Sequence, residues 1–175
     1  LQPQASLTVI DQSTGEVKAI VGGRGDKTAS KTLNRATDTT RQPGSTFKIL
    51  AAYSAALDAG GLTLASVQDD APYTYAGANG KSVNNYDRRY RGFTTLREAI
   101  TDSINIVTVK TLAQAGVSLG WQYVQEYGFT TVDSRDMPLH SVVSRRVYQT
   151  LNLPLPMLQS QIRELISNQS SIQRF

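Results

Sequence analysis

Ser45 and Lys48, three residues apart, are the pair in this chain best suited to nucleophilic chemistry. A serine hydroxyl attacks a carbonyl well only when a base takes its proton. Lysine can be that base when desolvation or a nearby cation lowers its pKa. The neighbours of Lys48, namely Phe47, Ile49, Leu50 and Ala51, are apolar and favour desolvation. On a helix, positions i and i+3 share a face, so hydroxyl and amine can meet. A serine at a helix start also lies where unpaired N–H groups favour developing negative charge. The spacing alone is a weak signal, because a capping serine followed by a snorkelling lysine has the same letters.

Composition excludes several other chemistries. The chain has 175 residues and no cysteine, which rules out disulfides, a cysteine nucleophile and thiolate metal sites. Its single histidine, His140, excludes H-E-x-x-H zinc sites and reads as a surface residue. Hydrophobic residues make up 39% and charged residues 18%, the balance of a globular chain. No segment approaches the roughly 20 apolar residues that span a bilayer, and no signal peptide is visible. The chain opens on Leu1, so we expect an anchor or targeting signal to have been removed or never to have existed. The net charge of +4 is mild. Arg88, Arg89 and Arg91, interleaved with Tyr86 and Tyr90, read as a solvated loop, and no nucleic-acid partner is expected.

The elements that must position Ser45 and Lys48 follow from periodicity and turn chemistry. Residues 6–11 and 16–22 are β-branched and apolar around a Gln12-Ser13-Thr14-Gly15 turn, and predict a β-hairpin. Residues 23–44 read as a loop. Residues 45–59 carry Ala, Leu and Ile at helical spacing and meet Gly60-Gly61, so a helix starting at Ser45 is predicted. Residues 68–93, rich in Gly, Asn, Asp and Tyr, predict a long loop or short strands. Thr95–Thr101 predicts a short helix with Thr94 or Thr95 as N-cap and Glu98 at capping-box distance from Thr95. Further helices are predicted over Asn105–Ala115, closed by Gly116, and Gly120–Tyr127, closed by Gly128. A last amphipathic helix is predicted over Pro156–Ser167.

The longer string Arg41-Gln42-Pro43-Gly44-Ser45-Thr46-Phe47-Lys48 resembles the active-site box of the penicillin-binding proteins, most like the transpeptidase domain of the bifunctional, class A type. The opening hairpin through Gly23 is similar to the strand pair that begins that domain, and Asn34-Arg35-Ala36 to its lead-in. Leu96-Arg97-Glu98-Ala99-Ile100…Ser103-Ile104-Asn105 resembles the second box, S-x-N. A second S-x-N, Ser82-Val83-Asn84, has no predicted helix on either side and reads as loop. Ser103 lies in a break between predicted helices, where a turn can aim side chains into a cleft.

The resemblance implies a mixed α/β (α+β) fold: part of the penicillin-binding-protein and serine β-lactamase-like transpeptidase fold, with a β-hairpin, a helical subdomain and an incomplete sheet. It implies a D,D-transpeptidase that crosslinks D-alanyl-D-alanine stem peptides of peptidoglycan. Ser45 would be the nucleophile, Lys48 its base and Ser103 a proton relay to the leaving amine. Asn105 would hold the substrate amide and Lys48, with Thr46 also on the substrate side. The Ser45 N–H would form half of an oxyanion hole. β-Lactam antibiotics would acylate Ser45. No cofactor and no metal are implied, and the place of action would be extracytoplasmic.

The sequence departs from that family in one respect: no K-T-G box, nor a relaxed form of it, occurs. All 13 glycines lie at or before Gly128. A segment of the length that follows would ordinarily hold roughly three. We therefore expect residues 1–132 to be the N-terminal part of the transpeptidase domain and residues 133–175 to be a helical or irregular tail of different origin. Composition favours truncation or a frame shift near residue 132 over a missing partner half that completes the sheet, or a tail that caps the core. One oxyanion donor is worth about 2.7–4 kcal/mol of barrier, so crosslinking by this chain alone should be weak or nil. The alternatives are a non-catalytic penicillin- or peptidoglycan-binding or sensor module, and a serine β-lactamase relative.

Overall fold

The computed structural model describes residues 3–41, 43–74, 82–129, 131–132 and 149–150. They divide into two compact units, one built on residues 3–41 and one on residues 43–125.

The first unit is opened by the predicted hairpin. Strands β1 (Leu7–Ile10) and β2 (Val17–Val21) pair antiparallel from Leu7 opposite Val21 to Ile10 opposite Val17, with a bulge after Val9. Asp11 makes the turn: its carboxylate accepts from the Ser13 amide at 2.9 Å and the Ser13 hydroxyl at 2.7 Å, while Gly15 takes a φ of +72°. That is the self-bonding by which Asp initiates turns, and the Ser13 hydrogen bonds lower the pKa of Asp11. Both faces of the hairpin are largely exposed, including Leu7, Val9, Ile20 and Val21.

Asn34 folds back on the end of the hairpin. The Arg35 amide donates to the Gly22 carbonyl at 2.8 Å, and a Cβ at Gly22 would lie 2.3 Å from Asn34 Oδ1. Only glycine permits this approach. The predicted loop over 23–44 contains one short strand, β3 (Thr40–Arg41), paired with β8 (Gln149–Thr150). Periodicity cannot reveal a two-residue strand whose partner lies more than a hundred positions away.

The second unit holds the helices. The predicted helix after Gly44 forms, but in three windings. A 3₁₀ turn covers Gly44–Thr46, a π-helical stretch covers Ile49–Tyr53, and α1 covers Ser54–Asp58. Ser45 therefore does not start a regular α-helix and makes no capping bond; the turn is entered through Gly44 at φ +58°. Two features accompany the wide middle turn. Ser54 Oγ donates to the Leu50 carbonyl at 2.6 Å, a back-bond that bends helices. The Ala51 carbonyl abuts Gly120, where a Cβ would lie only 2.4 Å from its oxygen.

Strands β4 (Val67–Asp70) and β7 (Gly92–Thr95) pair antiparallel, as do β5 (Tyr73–Thr74) and β6 (Ser82–Val83). Helix α2 (Leu96–Thr101) begins with the expected capping box, Thr95 with Glu98. Helix α3 (Asn105–Ala115) closes at Gly116, φ +102°. Helix α4 (Val117–Glu126) starts three residues earlier than its sequence pattern suggests.

α3 is the centre of this unit, with Ile106, Val107, Thr108, Val109, Thr111 and Leu112 buried. Burial around the whole circumference explains why its sequence shows little amphipathic contrast. Tyr53, Leu96, Ala99, Ile104 and Val107 form one apolar cluster, and Val83, Ile106 and Val109 another. The expected tail helix over 156–167, and His140, lie outside the described residues. Among the described residues the strands form only two-stranded pieces, in keeping with an incomplete sheet.

Candidate active site

Lys48 is 2% exposed, yet its amine is fully engaged. Nζ donates to the Ser103 carbonyl at 2.7 Å, to Ser103 Oγ at 3.0 Å and to Asn105 Oδ1 at 2.6 Å. These three acceptors match the three donors of an ammonium group. No carboxylate among the described residues lies within ion-pair distance of it. Burial lowers the Lys48 pKa from 10.5 to about 8. Desolvation disfavours the charged form, and no anion opposes that here. A substantial fraction of Lys48 is then neutral in mildly alkaline water, as a general base requires.

Backbone geometry brings the acceptors together. After α2 the chain passes Ser103 at φ +53°, in the left-handed region that serine seldom adopts. Such a conformation costs on the order of 1–3 kcal/mol. It lets one residue offer both its carbonyl and its hydroxyl to the same amine. Asn105 follows as the first residue of α3. Its side chain is held from behind, Nδ2 donating to the Asn84 carbonyl at 2.8 Å, which turns Oδ1 toward Lys48.

The helix bearing Lys48 is fastened to α3 at Tyr53. Tyr53 OH and Thr108 Oγ1 lie 2.9 Å apart, and Thr108 gives its own proton to the Ile104 carbonyl at 2.6 Å. Tyr53 is therefore the donor in that pair, and burial pushes its pKa up to about 12.

Ser45 is exposed at the 3₁₀ turn, and its Oγ makes no hydrogen bond among the described residues. The spacing predicts Ser45 and Lys48 to meet. The structure instead turns Lys48 to Ser103 and Asn105, whose acceptors occupy all three of its donors. Thr46 is exposed beside Ser45, its hydroxyl donating to the Pro43 carbonyl at 2.7 Å. The structure thus joins Lys48, Ser103 and Asn105 in one network, with Ser45 and Thr46 at the exposed start of the Lys48 helix.

Two residues around this network escape sequence reasoning. Asp70, fully buried, and Asn85, 4% exposed, bond to each other at 2.8 and 3.0 Å behind the start of α3. Neither belongs to a motif, and the fourteen positions between them carry no periodic signal. Arg91, from the basic loop, reaches Asp87, Asp70 and Asp102 at 3.1, 3.8 and 3.6 Å.

The profile of the penicillin binding protein transpeptidase domain matches residues 5–142. The chain belongs to this family. Among its penicillin-binding relatives, penicillin-binding protein 1A of Neisseria flavescens is 48% identical over 130 residues, which is 72% of this chain and 16% of that protein. Penicillin-binding protein 1A of Clostridium tetani is 39% identical over 144 residues, 78% of this chain and 18% of that protein. The chain thus spans less than a fifth of these penicillin-binding proteins. The crystal structure of penicillin-binding protein 1A from Haemophilus influenzae superposes with a TM-score of 0.70 at 29% identity, over 88% of this chain and 22% of that one. Penicillin-binding protein A from M. tuberculosis, an imipenem acyl-enzyme complex, gives 0.68 at 22% identity, over 94% of this chain and 46% of that one, a likeness of fold.

Proposed function

We propose that this chain carries the acylation half of a peptidoglycan D,D-transpeptidase site. The observation that supports this best is the buried Lys48 amine held between Ser103 and Asn105. Lys48, once neutral, takes the proton of Ser45. Ser45 Oγ attacks the penultimate D-alanyl carbonyl of a stem peptide, and its backbone N–H contributes to the oxyanion hole. Ser103 relays a proton to the nitrogen of the departing D-alanine. Asn105, and Thr46 at the entrance, orient the peptide. An amine from a second stem peptide then takes the acyl group and frees Ser45. β-Lactams acylate Ser45 by the same attack.

Lys48 is engaged by the S-x-N box while Ser45 Oγ makes no hydrogen bond among the described residues. Attack therefore requires Lys48 to exchange one of its acceptors for the Ser45 hydroxyl as substrate enters. Hydrogen bonds of this kind tighten in the substrate complex.

Family resemblance and site chemistry support a reaction on the extracytoplasmic side of a bacterial membrane. Among the described residues no helix is long and apolar enough to cross a membrane. We assign the transpeptidase portion to residues 1–132 and the tail to 133–175 on composition. The K-T-G strand, which the family uses to bind the substrate carboxylate, is not in this sequence. Crosslinking by this chain alone is therefore weak, and a partner half of the domain would be needed for full turnover. The engagement of all three Lys48 donors by Ser103 and Asn105 favours, as a second reading, a penicillin- or peptidoglycan-binding module without turnover.

A fluorescent penicillin distinguishes these readings. Stable covalent labelling, mapped to Ser45 by peptide mass spectrometry and lost in Ser45→Ala, is the expected result. Rapid hydrolysis of the drug would point to a β-lactamase, and no labelling to a binder or an inert remnant.

A further inference from the structure

Behind Asn105 lies a side chain whose hydrogen bonds are all used. Asn85 Oδ1 accepts from the backbone amides of both Asn105, at 3.1 Å, and Ile106, at 3.2 Å. Asn85 Nδ2 donates to the Asp70 carboxylate at 2.8 and 3.0 Å and to the Arg89 carbonyl at 2.8 Å. Two donors and two lone pairs is the full inventory of a primary amide. The first amides of a helix have no partner within it. The residue preceding α3 is Ile104, which has no side chain able to cap them. Asn85 supplies the missing cap from another segment of the chain. Asp70 in turn is held by the Arg91 amide at 2.9 Å and is fully buried. The adjacent residue, Asn84, bonds the Asn105 side chain through its carbonyl.

We propose that Asn85, locked in one orientation by Asp70, is a positioning residue for acylation of Ser45. It fixes the first turn of α3, and so keeps Asn105 Oδ1 on the Lys48 amine. The inference rests on the acyl-serine reading above. Its physical basis is that a buried amide bonded on all four sides cannot rotate without leaving a donor or acceptor unmet, which is costly in a low-dielectric interior. Asn105 then inherits a fixed backbone from Asn85 and a fixed side chain from Asn84.

The test uses the whole chain and single-turnover acylation by a fluorescent penicillin. Asn85→Ala should lower the acylation rate constant about tenfold and leave the dissociation constant of the drug within twofold. The labelled fraction at the end point should be unchanged, so the protein is folded. In an Asn105→Ala background the same change should cost less than twofold, because the residue it acts through is gone. Asp70→Asn should lower the rate a few-fold, and the Asp70→Asn, Asn85→Ala pair should be no slower than Asn85→Ala alone. Should Asn85→Ala fail to fold, Asp70→Asn takes its place in the Asn105→Ala comparison. An unchanged rate, or an equal loss in the Asn105→Ala background, overturns the proposal. Hydrogen exchange decides the matter without turnover: the Asn105 and Ile106 amides should lose at least tenfold protection in Asn85→Ala, or in Asp70→Asn if that variant replaces it, while Val109 and Leu112 keep theirs. If the unaltered chain takes no penicillin, the acyl-serine reading falls and the role in acylation with it, and the exchange result then supports or overturns only the fixing of the first turn of α3 by Asn85.

Discussion

The chain contains the string S-x-N twice, and its two copies do opposite things. Ser103-Ile104-Asn105 turns both polar side chains, and a carbonyl, onto Lys48. Ser82-Val83-Asn84 lies along β6 and its edge. Ser82 faces Thr74 across the strand pair at 3.4 Å, Val83 packs under α3, and Asn84, among the described residues, lends its carbonyl to Asn105. The difference lies in the backbone. At Ser103 a left-handed turn separates α2 from α3, so neighbouring side chains converge. In a strand, side chains alternate between faces, and residues i and i+2 share a face without converging on one atom. A short motif is chemistry only where the chain bends to focus it. Here the second copy still matters, as the wall against which the first is held.

Side-chain deletions should separate the copies, beginning at the amine that the Ser103 copy holds. Lys48→Ala should slow acylation of Ser45 by penicillin by about 10²–10⁴, the usual contribution of a positioned base. A loss smaller than that from Ser103→Ala would count against Lys48 as the base. Asn105→Ala removes an acceptor from a charged donor, worth about 1.5–3 kcal/mol, or roughly 10–100-fold in rate. Asn84→Ala keeps the carbonyl that matters and should change the same rate less than twofold. Ser103→Ala should cost about tenfold, since its carbonyl still binds Lys48. Ser82→Ala should be silent, and a comparable loss there would erase the distinction.

The smallest effect concerns stability. Ser103→Gly should be more stable than Ser103→Ala by about 1 kcal/mol, because glycine takes positive φ without strain. Ser82→Gly should be less stable than Ser82→Ala, because glycine weakens a strand. Urea denaturation of the four variants reads both signs.

Much of this was legible in the letters. The hairpin, the helix after Gly44, the Thr95–Glu98 capping box and the Gly116 stop all follow from local rules, and all form. The choice of Ser103 over Ser82 also follows from a local rule, the break between helices. What the sequence hides is whatever depends on distant backbone. The π-helical turn at Ile49–Tyr53 goes with the close approach of Gly120, about seventy positions away. The commitment of Lys48 to Ser103 and Asn105 crosses more than fifty positions. The Asp70–Asn85 pair joins two residues that belong to no motif. α3 conceals its role because a helix buried on all sides carries no stripe to read.

Acylation of Ser45 turns on one group, the Lys48 amine, being poised to give up its proton. Heteronuclear NMR titration of the Lys48 side chain in the whole protein measures this directly. Below the midpoint the amine is protonated and cannot act as base; above it, Ser45 can be deprotonated. A midpoint near pH 8 is the expected result. A midpoint at or above 10.5, the value of an ordinary solvated lysine, would contradict the account.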